Sequence, residues 1–367
     1  MLKLRLAVGT TGSQHFNAYQ AIQTYRYFLD DKYYAWNGSS LIAMGNPDLK
    51  WQQKRDYNIG LDVKLWDNRI TIGGDFYIAK TNDLISTLTL PAANGFTTYI
   101  ENIGSLKNTG YELRLSAYVL RKDQMSWSVS LAGIHNKNKI VEVSQALLDA
   151  QNAIESEDLV NPNVQFRPGY SSNTIWTVRS AGIDPGTGKE VFISRDGNRT
   201  YNWSASDIVA TGVSDPKLEG NISSMFRYKG LSLNVSFGYR FGGQIYNSTL
   251  ANKVEVSKTA IGWNVDARVF HDRWKNIGDQ ASFKGLDDFT PTNKTSRFVQ
   301  DETTFRCQNM TLQYELKSQA LNKLLGIDYC LFSASTSDLF YISTVKRERG
   351  TSYPFSRQFS LGVNVVF

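Results

Sequence analysis

LSLNVSFGYR, residues 231–240, decides the fold: Leu231, Leu233, Val235, Phe237 and Tyr239 alternate with Ser232, Asn234, Ser236, Gly238 and Arg240. A period of two puts one set on each face of a strand, apolar on one side and polar on the other. The same pattern recurs to both sides. Leu2, Leu4, Leu6 and Val8 enclose Lys3 and Arg5, and Ile59, Leu61, Val63 and Leu65 enclose Gly60, Asp62 and Lys64. Ile70, Ile72, Phe76 and Ile78, then Tyr111, Leu113, Leu115 and Ala117, then Trp127, Val129 and Leu131 repeat it, with weaker cases near 218–229, 302–316 and 325–335. The chain closes on Phe359, Leu361, Val363, Val365 and Phe367, opposite Gln358, Ser360, Gly362 and Asn364.

About ten such strands are predicted, joined by connections of alternating length. Tight turns are expected at Asp67–Asn68, Lys122–Asp123, Lys229–Gly230 and around Ser318 to Lys323, and long connections at roughly 10–52, 86–106, 139–217, 244–300 and 336–355. A soluble sandwich has no reason to place every long loop at one end. An outer-membrane barrel does, with short periplasmic turns and long extracellular loops. The predicted class is all-β, a transmembrane antiparallel β-barrel with its apolar face on lipid and its polar face on a lumen. Several segments reach the ~10 residues a tilted membrane strand needs.

Composition agrees. Aromatics make up 13% of the 367 residues, with 19 Tyr, 19 Phe and 8 Trp, while mean hydropathy is −0.35. Trp66, Tyr118, Trp127, Tyr228, Tyr239 and Phe241, near strand ends, suit interfacial girdles. No apolar run is long enough for a transmembrane helix. No signal-peptide pattern follows Met1, which is expected to be an internal start or an artificial boundary. The formal charge of +6 is spread along the chain without a basic run, so nucleic acid is not an expected partner.

The ordered segments resemble the SusC/RagA family of TonB-linked outer-membrane importers. Residues 45–65, GNPDLKWQQKRDYNIGLDVKL, resemble that family's approach to a barrel strand, and residues 101–117, ENIGSLKNTGYELRLSA, are the most specific match. AGIDPGTGKEVF at 181–192 resembles an insertion of the family, residues 214–247 a hairpin segment, and YPFSRQFSLGVNVVF at 353–367 its closing strand. Cys307 and Gln308 depart from the family pattern in TTFRCQNMTLQYEL at 303–316. The resemblance implies a 22-stranded barrel with an N-terminal plug, of which residues 1–367 are the last ten strands, the plug and early strands lying outside the chain. It further implies a SusD-like surface lipoprotein as partner, an upstream chain supplying the remaining strands and plug, the TonB system acting through that plug, and an oligosaccharide or peptide ligand.

No catalytic constellation is apparent, and neither cofactor nor metal is expected. His15, His135 and His271 lack metal-type spacing, and DPGTG at 184–188 lacks the Lys-Ser/Thr of a phosphate loop and reads as a turn. Cys307 and Cys330 are expected to be free thiols about four positions out of alignment on neighbouring strands. Candidate ligand contacts are aromatics of the long loops, Tyr170, Trp176, Tyr201, Trp203 and Trp263, because flat apolar faces stack on sugar rings and peptide side chains; the bland alternative is that they pack the loops together. Phe367 looks like the terminal signal read by the outer-membrane insertion machinery. Rival readings are a self-closed passive pore or surface adhesin of ten strands, and a soluble β-rich binding protein.

Overall fold

The computed structural model describes residues 1–14, 21–34, 36–89, 96, 98–155, 162–256, 262, 265–349 and 355–367. The chain begins with β1 (Leu2–Ser13), a small hairpin of β2 (Thr24–Tyr33) and β3 (Trp36–Ala43), and the strands β4 (Gln52–Leu65), β5 (Ile70–Thr89), β6 (Thr98–Lys122) and β7 (Met125–Val143). Helix α1 (Gln145–Glu155) leads to four short strands, β8 (Thr174–Ile183), β9 (Glu190–Ile193), β10 (Arg199–Thr200) and β11 (Ile208–Val213). Then follow β12 (Leu218–Tyr228), β13 (Leu231–Tyr246), β14 (Val299–Leu316), α2 (Gln319–Leu325), β15 (Tyr329–Ser337), β16 (Tyr341–Ser343) and β17 (Phe359–Val366).

Ten of these form one antiparallel meander in the order β1-β4-β5-β6-β7-β12-β13-β14-β15-β17, with β16 added beside β14. Its tight connections, β4 to β5, β6 to β7 and β12 to β13, lie at one end together with the short α2 connection, and every long connection lies at the other. β1 and β17 each have a single neighbour among the described residues, so the sheet is an open section of wall. No described helix is long and apolar enough to cross a membrane, which says nothing of strands.

The register converts alternation into two continuous faces. Leu2, Val63, Ile72, Leu115, Leu131, Ile222 and Phe237 are successive cross-strand partners across seven strands. One step along the strands, the corresponding row reads Lys3, Asp62, Gly73, Arg114, Ala132, Asn221, Gly238 and Arg306. Leu2, Leu4, Leu6, Leu113, Phe359, Leu361 and Val363 are exposed, an apolar face of the kind lipid covers without the cost of wetting it. On the opposite face Arg5 bridges Asp62 at 2.8 Å and Asp75 at 3.1 Å, and Arg114 reaches Asp75 at 2.6 Å. Further round, Ser116 and Ser130 hydrogen-bond at 3.0 Å.

Three expectations need correction. The segment 86–106 is not a long connection: β5 and β6 pair as far as Thr89 and Thr98. Beyond Thr81 the ladder is irregular, with Asp83 at φ 53, and its flank packs on α1 through Leu84, Ile103 and Leu147. Alternation fades there, where the ladder is irregular and its flank is covered by α1. Cys307 and Cys330 are free thiols, but Cys330 pairs with Leu316, nine residues beyond Cys307, rather than lying four positions away. The structured α2 connection, which centres the hairpin beyond the expected tight turn, causes that larger offset. Tyr118 pairs with Ser128 on the polar side, and a bulge before Leu120 then restores Leu120 opposite Trp127.

Tyr239, another girdle candidate, is buried. It leans across Gly133 and Gly220, its hydroxyl donating to the Ala132 carbonyl at 2.9 Å. An aromatic ring covering glycines keeps the sheet surface filled where those residues provide no side chain.

Candidate functional site

Above the wall the long connections fold into a body with its own core. β10, β9, β8 and β11 form a four-stranded sheet in that order. Trp176, Val178, Phe192 and Ile208 pack on it, with Trp203 and Ala205 against them. The connection between β13 and β14 is stitched to this sheet. Val178 N–H donates to the Lys294 carbonyl at 3.2 Å and Ser180 N–H to Ser296 Oγ at 2.9 Å.

The strongest stitch is ionic. Arg297 is buried between Glu190 of β9, at 2.8 Å, and Glu255, to which it donates twice, and it also reaches the Ser282 carbonyl at 2.7 Å. Burial pushes the Glu255 carboxyl up, against the pull of the Arg297 guanidinium. The guanidinium stays charged because two carboxylates face it. Such a pair rigidifies only because each charge keeps its partners. Nearby, Arg268 holds Asp266 at 2.8 Å and Glu348 at 2.9 Å, and Asp266 is held well below the ordinary carboxylate range, chiefly by the Arg268 side chain.

The DPGTG segment is a turn. Asp184 accepts from Gly186 N–H at 3.0 Å, Thr187 Oγ1 at 2.8 Å and the Tyr201 hydroxyl at 2.6 Å. These donors, the Tyr201 hydroxyl foremost, hold its carboxyl below the usual range. Gly188, at φ +70, lies under Trp274, where a Cβ would come within 2.5 Å of the indole. The Trp274 N–H in turn donates to the Pro185 carbonyl at 2.9 Å.

The loop aromatics fall into two groups. Trp176 is buried and Trp203 partly so, both inside the β8–β11 core, with the Lys294 ammonium 5.9 Å from the Trp203 ring centre. Tyr170 and Tyr201 are about half exposed, Tyr170 meeting Trp176 edge-on at 4.9 Å. Trp263 lies outside the described residues, as does His15. His135 stacks near Tyr111 at 5.0 Å and faces the Lys217 carbonyl at 2.7 Å through Nδ1. Among the described residues no group of His, Cys, Asp and Glu could hold a metal ion.

Where the loop body joins the wall, Val213 N–H donates to Gln244 Oε1 at 2.9 Å and Arg240 donates to the Ser214 carbonyl. Just below this junction the polar face is indented. A depression of about 490 Å³ is lined by residues of β12, β13 and β14 and by Tyr341, with Glu219, Arg240, Glu302 and Arg306 as its charges. Alternation already places Arg240 on the polar face of residues 231–240; Glu219, Glu302 and Arg306 fall in the weaker segments near 218–229 and 302–316, where no sequence signal singles them out.

This architecture agrees with comparison to known proteins. Residues 3–251 match the family model described as TonB dependent receptor-like, beta-barrel. The chain belongs to that family. It is therefore an integral part of the bacterial outer membrane. It is similar to TonB-dependent receptor SusC of Bacteroides thetaiotaomicron, 27% identical over 393 residues, covering all of this chain and 37% of that one. A TonB-dependent receptor of Formosa agariphila is 24% identical over 426 residues, with 40% of its length covered. A solved structure of the RagAB peptide transporter superposes with a TM-score of 0.79 at 23% identity, over 99% of this chain and 40% of that one. The chain thus spans about two-fifths of the length of the relatives it matches.

Proposed function

We propose that this TonB-dependent receptor segment is the C-terminal wall and extracellular loop body of an energy-coupled importer of oligosaccharides or peptides. The observation that carries the reading is the open meander, apolar on one face and ionic on the other, with all its long connections folded at one end. Unpaired strand edges are not tolerated in lipid. β1 and β17 therefore need strands from the rest of a larger barrel, which would also contribute the plug on which the TonB system acts. A SusD-type surface lipoprotein is the proposed outer partner, seated on the loop body. Tyr170 and Tyr201 present flat faces suited to ligand contact, with Trp176 meeting Tyr170 from the core; Trp203 and Trp263 are proposed from their loop positions alone. Phe367, exposed at the end of the last strand, is proposed as the insertion signal.

The test is to tag this chain in its native host, extract the outer membrane in mild detergent and identify what co-purifies. A plug-bearing segment with early barrel strands, together with a surface lipoprotein, is expected. A chain that purifies alone and conducts ions in planar bilayers would overturn the reading in favour of a self-closed pore.

A further inference from the structure

The depression below the loop junction has a built floor. Between Ser236 and Phe237 the β13–β14 ladder slips by one residue, so Ser236 faces Asn309 while Phe237 faces Cys307, and Gln308 is extra. Without that bulge Gly238 would face Cys307; with it, Gly238 faces Arg306. One extra residue thus re-aims the strand, sending Arg306 to the polar face and Cys307 to the other, a use of bulges seen beside binding sites. Gly238 completes the arrangement, because a Cβ there would come within 2.6 Å of the Gln308 side chain.

The charges around this floor are unequally satisfied. Arg240 donates to the Ser214 carbonyl and lies 3.4 Å from Glu302. The Arg306 guanidinium and the Glu219 carboxylate, both exposed, make no hydrogen bond or ion pair among the described residues. They stand on β14 and β12, two strands apart and offset by two positions, roughly 12 Å between backbones at ordinary sheet spacings. A two- or three-residue peptide spans about 7–10 Å, which side chains projecting from those backbones can bracket. The Tyr341 ring, under the Arg347 guanidinium at 4.9 Å, closes one side.

From this geometry we infer that the depression is a subsite for a zwitterionic ligand, a short peptide with free ends, its carboxylate on Arg306 and its ammonium on Glu219. A guanidinium takes a carboxylate in a two-pronged bond that a neutral sugar cannot offer. A neutral oligosaccharide would desolvate both charges without pairing them. The inference rests on the importer reading and narrows its ligand class.

The experiment titrates the purified outer-membrane complex with triglycine, N-acetyl-triglycine, triglycine amide and maltotriose. Triglycine is expected to bind, and capping either end to weaken binding about tenfold or more, the scale of one lost charge-assisted bond. Arg306→Gln should weaken triglycine and become indifferent to the amide, and Glu219→Gln should become indifferent to the acetyl group. Arg306→Lys, which keeps the charge, should recover part of the loss, and unchanged heat-modified mobility on gels would show that each variant barrel is folded. Equal binding of capped and free peptides, loss that ignores which end is capped, preference for maltotriose, or no binding of any probe would each overturn the inference. The importer reading stands or falls separately, on the co-purification.

Discussion

The wall and the loop body are built from one chain by opposite rules. In the wall Leu113 and Leu361 are exposed and Asp75 is buried among arginines. In the loop body Val178, Val254, Val269 and Phe298 are almost fully buried. The difference is one of solvent. Water surrounds the loop body, so apolar area is driven inward; lipid surrounds the wall, so apolar side chains turn outward and carry no core of their own.

The comparison can be broken by substitution. The largest effect is expected at the ionic stitch. Arg297→Met leaves Glu190 and Glu255 buried without their cation and should cost the loop body about 3–5 kcal/mol, seen as faster hydrogen exchange across residues 174–213 with the wall unchanged. Because those carboxylates can then take up protons, the loss should shrink as pH falls. Faster exchange in β5 or β6 would mean that wall and loop body are one cooperative unit.

Leu113→Arg comes next. The leucine is 49% exposed, and in a water-soluble sheet the change would cost little. On a lipid face it should cost about 2–4 kcal/mol near mid-depth and lower the folded fraction recovered from outer membranes. Unchanged recovery would contradict the lipid-facing assignment.

Smaller is the acid response of the Asp266–Arg268–Glu348 cluster. Asp266 is held below its unfolded value, so its contribution is complete above about pH 4 and is lost as pH falls through the depressed folded value. Asp266→Asn should remove about 1 kcal/mol of local protection at pH 6 and progressively less in strong acid, by hydrogen exchange. An Asn variant as protected as the parent at pH 6 would show that the cluster adds nothing. Least of all, Ser130→Ala on the lumen face should stay within about 0.5 kcal/mol in thermal unfolding.

Legibility in the sequence followed the same divide. The alternation of residues 231–240 announced both faces of β13, because a two-residue period is a property of an extended chain. Between Ser86 and Leu106, where the ladder is irregular and its flank packs on α1, alternation fails and paired strands read as a connection. Tyr170 and Trp176 looked alike as loop aromatics; the packing of β8 buries one and leaves the other half exposed. Arg306 was invisible as a lumen residue, since a bulge one residue long decides which way it points.

The sequence alone determined a meander of about ten membrane strands, its two faces, the end on which its loops lie and its resemblance to a family of importers, because periodicity and turn residues act locally. Only the tertiary structure decided that separate connections form one body around Arg297, that Asp75 is shared by Arg5 and Arg114, and that Glu219 and Arg306 face one depression. Those depend on strand register and on contacts between residues far apart in the chain, which local patterns do not encode.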